Sequence, residues 1–146
     1  MAEEQFAPVQ NGPLTFKAGI VNMKAYRLVH ITHATGVVNY AFDEANVNGI
    51  TLNNGELVGD AITVKMLPAI GDIVEVKVID TGARGANLYL DEQADQPSAT
   101  GLVKFTIGTA TKELFIANQA VANADAAGKS IPAYQTNEIN NMQINA

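Results

Sequence analysis

His30 and His33 are the only imidazoles in the chain, and Asp43-Glu44 follows in the same stretch of sequence. Together these are the residue types of a metal site or a general base. Positions three apart on an extended strand point to opposite faces, so the two rings diverge and read as structural or surface histidines. The adjacent pairs Asp43-Glu44 and Asp91-Glu92 have the chemistry of acid–base catalysis or of calcium binding. Neighbours on a strand also diverge, both pairs fall at expected turns, and no D-x-[DN]-x-[DN]-G spacing accompanies them. They read as solvated turn carboxylates. Gly128-Lys129-Ser130 ends like a phosphate-binding loop, but Asn123 stands where that loop needs its first glycine. Ile131-Pro132 also breaks the helix that the motif requires. Gly82-Ala83-Arg84-Gly85 is a flexible turn with one cation. Ser98 and Ser130 are the only serines, neither in a G-x-S-x-G context, and there is no cysteine. No catalytic set assembles. The expectation is a protein that is not an enzyme and needs no cofactor or metal.

Composition points the same way. Hydrophobic residues make up 47% of the 146 residues, and charged residues only 16%, against a usual ~25%. A surface so poor in charge suits partial coverage by a partner. The net charge is −6, and the nine basic residues are scattered between Lys17 and Lys129 without a basic stripe. That argues against nucleic acid as a partner. The first residues, MAEEQFAPVQNGP, lack the basic and apolar regions of a signal peptide. No run approaches the ~20 apolar residues of a membrane span. The expectation is synthesis in a cytoplasm, with no membrane partner.

The elements that would position any site are short and punctuated by glycine. Tyr26–Thr32, Val37–Phe42, Ala61–Leu67, Ile73–Val78 and Asn87–Leu90 read as strands, with Lys104–Ile107 and Glu113–Ile116 closing the series. Thr35-Gly36 predicts a hairpin between the first two. The alternation of Ile62, Val64 and Met66, then of Val74, Val76 and Val78, predicts a second hairpin turning through Pro68–Asp72. Asn48-Gly49 and Asn54-Gly55 mark further turns. The fold expected is all-β: one compact β-sandwich or small β-barrel of short antiparallel strands over residues 14–117. An extended arm precedes it at 1–13, where Pro8 and Pro13 oppose regular structure. An Ala/Asn-rich segment and tail follow it at 118–146, as a short helix ending at Gly128 or as extended chain. Phe6, Pro8, Val9, Leu14 and Phe16 at one end, and Tyr134, Ile139, Met142 and Ile144 at the other, are anchors that free tails have no use for. They are the candidate partner-binding residues.

Taken in order, the pattern resembles the capsid decoration (cement) proteins of tailed bacteriophages. Ala18-Gly19 with AYRLVHIT and GVVNYA carries the likeness first. Asn48-Gly49-Ile50, NNGELVGDAITVKML and GDIVEVKV follow, then Gly85-Ala86-Asn87-Leu88-Tyr89, Ala99-Thr100-Gly101 and Ile107-Gly108-Thr109-Ala110. The match spans roughly residues 14 to 117, and the tail departs from it. The resemblance implies a β-module bound to the outside of an icosahedral shell, with the major capsid protein as partner, commonly as a homotrimer that stabilises the shell. The alternative is a carbohydrate-binding or fibre-associated β-module, although the chain has no Trp and its four Tyr are dispersed.

Overall fold

The structure, a computed structural model, describes residues 13–67 and 70–136. In chain order its strands are β1 (Leu14–Ala18), β2 (Leu28–Thr32), β3 (Val37–Tyr40), β4 (Gly49–Thr51) and β5 (Ala61–Met66), then β6 (Ile73–Val78), β7 (Asn87–Leu90), β8 (Val103–Lys104), β9 (Phe115–Ala117) and β10 (Lys129–Gln135). Single 3₁₀ turns at Glu44–Asn46 and Gln96–Ser98 are the helical elements among the described residues. The protein is all-β, as its patterning requires.

The strands close into two barrels. The first runs β1-β3-β2-β4-β5 and the second β10-β6-β8-β7-β9. Closure leaves no free sheet edge, which is how strands this short satisfy their main-chain groups. Pairing is antiparallel except for one parallel pair in each barrel, β1 with β3 and β6 with β8. The expected hairpin of β2 and β3 is present, with Ile31 opposite Val38 and Val29 opposite Tyr40. The hairpin expected of β5 and β6 is not. β5 pairs with β1 and β4, β6 pairs with β8 and β10, and the chain between them crosses from one barrel to the other. Alternation defines a strand, whereas its partner is decided by which sheet must close.

The second correction concerns the boundary after residue 117. Lys129–Gln135 is a strand that pairs with both β6 and β9, so the second barrel cannot close without it. Pro132 is tolerated because it lies opposite Asn118, one residue beyond β9. Its carbonyl accepts from Asn118 N–H at 2.9 Å, and the missing proline N–H forfeits only the last rung of that ladder. The alanine-rich run forms no helix. Val121 bridges back to Gly82, and the Asp125 carboxylate takes Ala127 N–H at 3.0 Å.

The two barrels repeat one another in register. Ala18 stands opposite Val38 as Val78 stands opposite Val103, and Leu28 opposite Ile50 as Asn87 opposite Ile116. Gly49 opposite Met66 likewise matches Phe115 opposite Gln135. Each β2–β4-type ladder is prolonged by one isolated bridge at the same register, Met23 with Gly55 and Gly82 with Val121. The glycine before the fifth strand is left-handed in both, with φ of 93° at Gly59 and 92° at Gly128. Interior side chains correspond as well. Val29, Ile31, Val38, Tyr40 and Ile62 in the first barrel match Leu88, Leu90, Val103, Phe105 and Ile131 in the second. Volume is conserved by exchange across the bridge. Met23 faces a glycine in one barrel, whereas the other places its glycine at Gly82 and a valine at Val121. A Cβ on Gly82 would lie 2.3 Å from the Phe105 ring.

The barrels are welded along one seam. Leu28 and Ile50, on the outer face of the first barrel, join Ala41, Val47 and Leu67 in a single buried cluster with the second barrel's interior. Polar stitches run beside it. Leu28 N–H donates to Gly101 O at 2.8 Å, and Gly101 must be glycine because a Cβ would meet Leu28 O at 2.5 Å. The buried Gln135 amide donates to Leu67 O at 2.6 Å.

Candidate functional site

The carboxylates whose types suggested chemistry make hydrogen bonds and an ion pair within the fold. Asp43 accepts from Ala45 N–H at 2.8 Å and starts the first 3₁₀ turn. Glu44 is not a solvated turn carboxylate. Its Oε1 takes Thr111 N–H at 3.1 Å and Lys112 N–H at 2.9 Å, while its own N–H donates to Glu92 Oε2 at 2.8 Å. Glu44 and Glu92, one from each acidic pair, thus tie the barrels together across the seam. Asp91 lies 3.6 Å from Lys104. His30 lies on β2 between the inward-facing Val29 and Ile31, and His33 lies in the following turn. Among the described residues, no three His, Asp or Glu side chains are grouped to hold a metal.

Three of the nine predicted anchors, Leu14, Phe16 and Tyr134, fall among the described residues. Phe6, Pro8, Val9, Ile139, Met142 and Ile144 lie outside the described residues. Leu14 is exposed at the start of β1. Phe16 is half-buried and packs against the interior of the first barrel, so only part of its ring is open to a partner. Tyr134 lies half-buried on the outer face of β10, opposite Ile73 on one side and Ile116 on the other.

A more concentrated apolar surface lies at one tip of the first barrel. Val21, Leu57 and Val58 are 58%, 65% and 64% exposed. Their loops are adjacent because Asn22 N–H donates to Glu56 O at 2.9 Å and Gly55 N–H to Met23 O at 2.8 Å. Asp60 Oδ2 accepts from both Glu56 N–H and Leu57 N–H at 2.9 Å, which fixes the turn that presents Leu57 and Val58. Apolar side chains held outward on a hydrogen-bonded turn lose little entropy when a partner covers them. The corresponding positions of the second barrel carry small and polar residues instead, Asp80, Asn123 and Ala124. Sequence reading missed this tip, although Leu57-Val58 set between Asn54-Gly55 and Gly59-Asp60 was a readable signal: two apolar residues inside a turn.

Comparison with known proteins returns a likeness of fold. No protein-family profile and no curated protein matches the chain. Among solved structures, it is similar to the N base of the head fibre protein gp8.5 of bacteriophage phi29, with a TM-score of 0.61 and 16% sequence identity over 87% of this chain and 95% of that one.

Proposed function

We propose that this chain is a non-enzymatic structural protein of a tailed-phage virion, seated on the outer surface of the head, where it binds the major capsid protein and stabilises the shell. The observation that carries the proposal is its fold likeness to the base of a phage head fibre. The welded pair of barrels supplies a rigid body, and the tip of Val21, Leu57 and Val58 supplies an adhesive surface. Each such side chain contributes about 1.5–3 kcal/mol if fully buried, before ordering costs. Assembly as a homotrimer would use one such tip three times, raising avidity without new contacts. A second reading is favoured by the same neighbour, described as the base of a fibre: the chain anchors a fibre to the head rather than cementing its lattice.

Electron microscopy of the purified protein mixed with undecorated heads tests both. Regular density over many capsomers, together with DNA retention to higher temperature, is the expected result. Occupancy confined to sparse sites, without added heat resistance, favours the fibre reading. Absence of bound density on any head overturns both.

A further inference from the structure

Beside the seam lies a cleft of about 360 Å³ whose charged lining is entirely cationic. Lys24 and Arg27 come from the β1–β2 loop and Lys77 from the outer face of β6. Three of the nine basic residues of a chain with net charge −6 therefore meet at one place, and no carboxylate lines it. Among the described residues none of these three cations takes part in an ion pair. The Arg27 guanidinium is held in place. Its carbon lies 5.3 Å from the centre of the Tyr40 ring, and Nη1 donates to Thr100 O at 2.8 Å. Its Nε is buried yet has no hydrogen-bond partner among the described residues. Nη2 donates to Ala127 O at 3.5 Å, which leaves three of the five guanidinium N–H groups without a hydrogen bond among the described residues. A fixed fork of that kind is suited to an oxyanion.

The internal repeat shows that the fold does not require these side chains. In the second barrel, Ala83, Gly85 and Ala86 occupy the positions of Lys24, Tyr26 and Arg27, as the matching main-chain bonds establish. Tyr26 N–H donates to Thr51 O at 2.7 Å where Gly85 N–H donates to Ala117 O at 2.8 Å. The backbone is left-handed at both, with φ of 62° at Tyr26 and 89° at Gly85. Glycine adopts that conformation freely, whereas a bulky residue there is strained, and strain of this kind gathers at functional sites. The loop is nonetheless clamped. Lys24 N–H donates to the Tyr40 hydroxyl at 2.7 Å, Ala25 N–H to Asn54 Oδ1 at 2.8 Å, and the Thr51 hydroxyl to Lys24 O at 2.7 Å. One barrel thus meets the same backbone demand with Ala83, Arg84, Gly85 and Ala86, a single cation at the position of Ala25, and the other with two cations and a tyrosine around a cleft.

We infer that this seam cleft is a binding site for a multiply charged oxyanion of the phosphate class, held by Lys24, Arg27 and Lys77 with Tyr26 and Asn54 at its rim. The inference does not depend on attachment to a phage head. The test uses the full chain, titrated with sodium phosphate against sodium chloride at matched ionic strength, followed by amide NMR shifts and by thermal melting. Saturable shifts confined to residues 24–27, 54 and 77, with a rise in melting temperature that chloride does not produce, are expected. The double variant Lys24→Gln/Lys77→Gln, which removes two outward charges, should melt as the parent does and bind phosphate at least about tenfold more weakly. Tyr26→Gly should melt no lower than the parent, since it restores the residue that the second barrel uses, and should also bind more weakly. Equal responses to phosphate and chloride, undiminished binding by the double variant, or shifts spread over the surface would each overturn the site. A short oligothymidylate run in parallel distinguishes a free phosphate from a polymer-borne one: displacement of phosphate from the same residues assigns the source to a phosphodiester chain, and failure to displace assigns it to the small ion.

Discussion

Leu28→Ala tests whether the two barrels behave as one thermodynamic body. Leu28 is fully buried, yet it points away from its own barrel and into the cluster that includes Val76, Leu90 and Ile131 of the other. Its main-chain bond to Gly101 survives the substitution, so the loss is confined to the side chain. Truncating a fully buried leucine costs about 2.7–5 kcal/mol, depending on how far the surroundings relax. Flanked by a main-chain approach that already excludes a Cβ on Gly101, the site has little room to collapse, which places the cost in the upper half of that range. For a chain of this length each kcal/mol shifts the midpoint by about 2–4 °C, so a fall of roughly 8–20 °C is expected. Calorimetry together with amide NMR through the melt reads it out, because resolved amides of β2 report on the first barrel and those of β7 on the second. One transition in the parent, displaced as a whole in the variant, is the expected result. A parent that melts in two resolved steps, or a variant whose second-barrel signal keeps its midpoint, refutes the continuous core.

Further outcomes follow from other contacts. Gly82→Ala drives a methyl into the Phe105 ring and should lower the urea midpoint by the equivalent of about 1–3 kcal/mol at unchanged slope. Glu44→Ala leaves Thr111 and Lys112 N–H without their acceptor, and should cost about 1–3 kcal/mol while accelerating hydrogen exchange at those two amides by NMR. Truncation from Ile131 removes most of β10 and should abolish cooperative melting by calorimetry, because the second barrel can no longer close. Val58→Asp at the exposed tip, and separately deletion of residues 1–12, should each reduce the fraction of protein co-sedimenting with heads while leaving the dichroism spectrum of the core unchanged.

Much of the fold is legible residue by residue. The alternation of Ile62 and Val64, and of Val74, Val76 and Val78, marks which side chains enter a core, and each of them is buried. Pairing is not legible, because β5 and β6 are consecutive, alternate equally well and are separated by a turn-rich stretch, yet they lie in different barrels. Nor does sequence reveal the duplication. Corresponding positions exchange Met23 and Gly55 for Gly82 and Val121, which preserves volume across a pair while erasing identity at each position. The acidic pair at Glu44 was readable as a turn but not as a stitch, since its partners at Thr111 and Lys112 lie far along the chain. The cationic cleft was hidden for the same reason: Lys77 meets Lys24 and Arg27 only after two sheets have closed.

The seam has a further consequence for growth. It joins the flank of one barrel to the interior cluster of its copy, so the two joined surfaces are different. A head-to-tail joint of that kind has no built-in stopping point, and repeating it would draw successive modules into a filament. The second barrel offers the corresponding flank, but there Leu28 and Leu67 are replaced by Asn87 and Thr136. Those two polar residues make the second flank a poorer surface for the same apolar joint than the first.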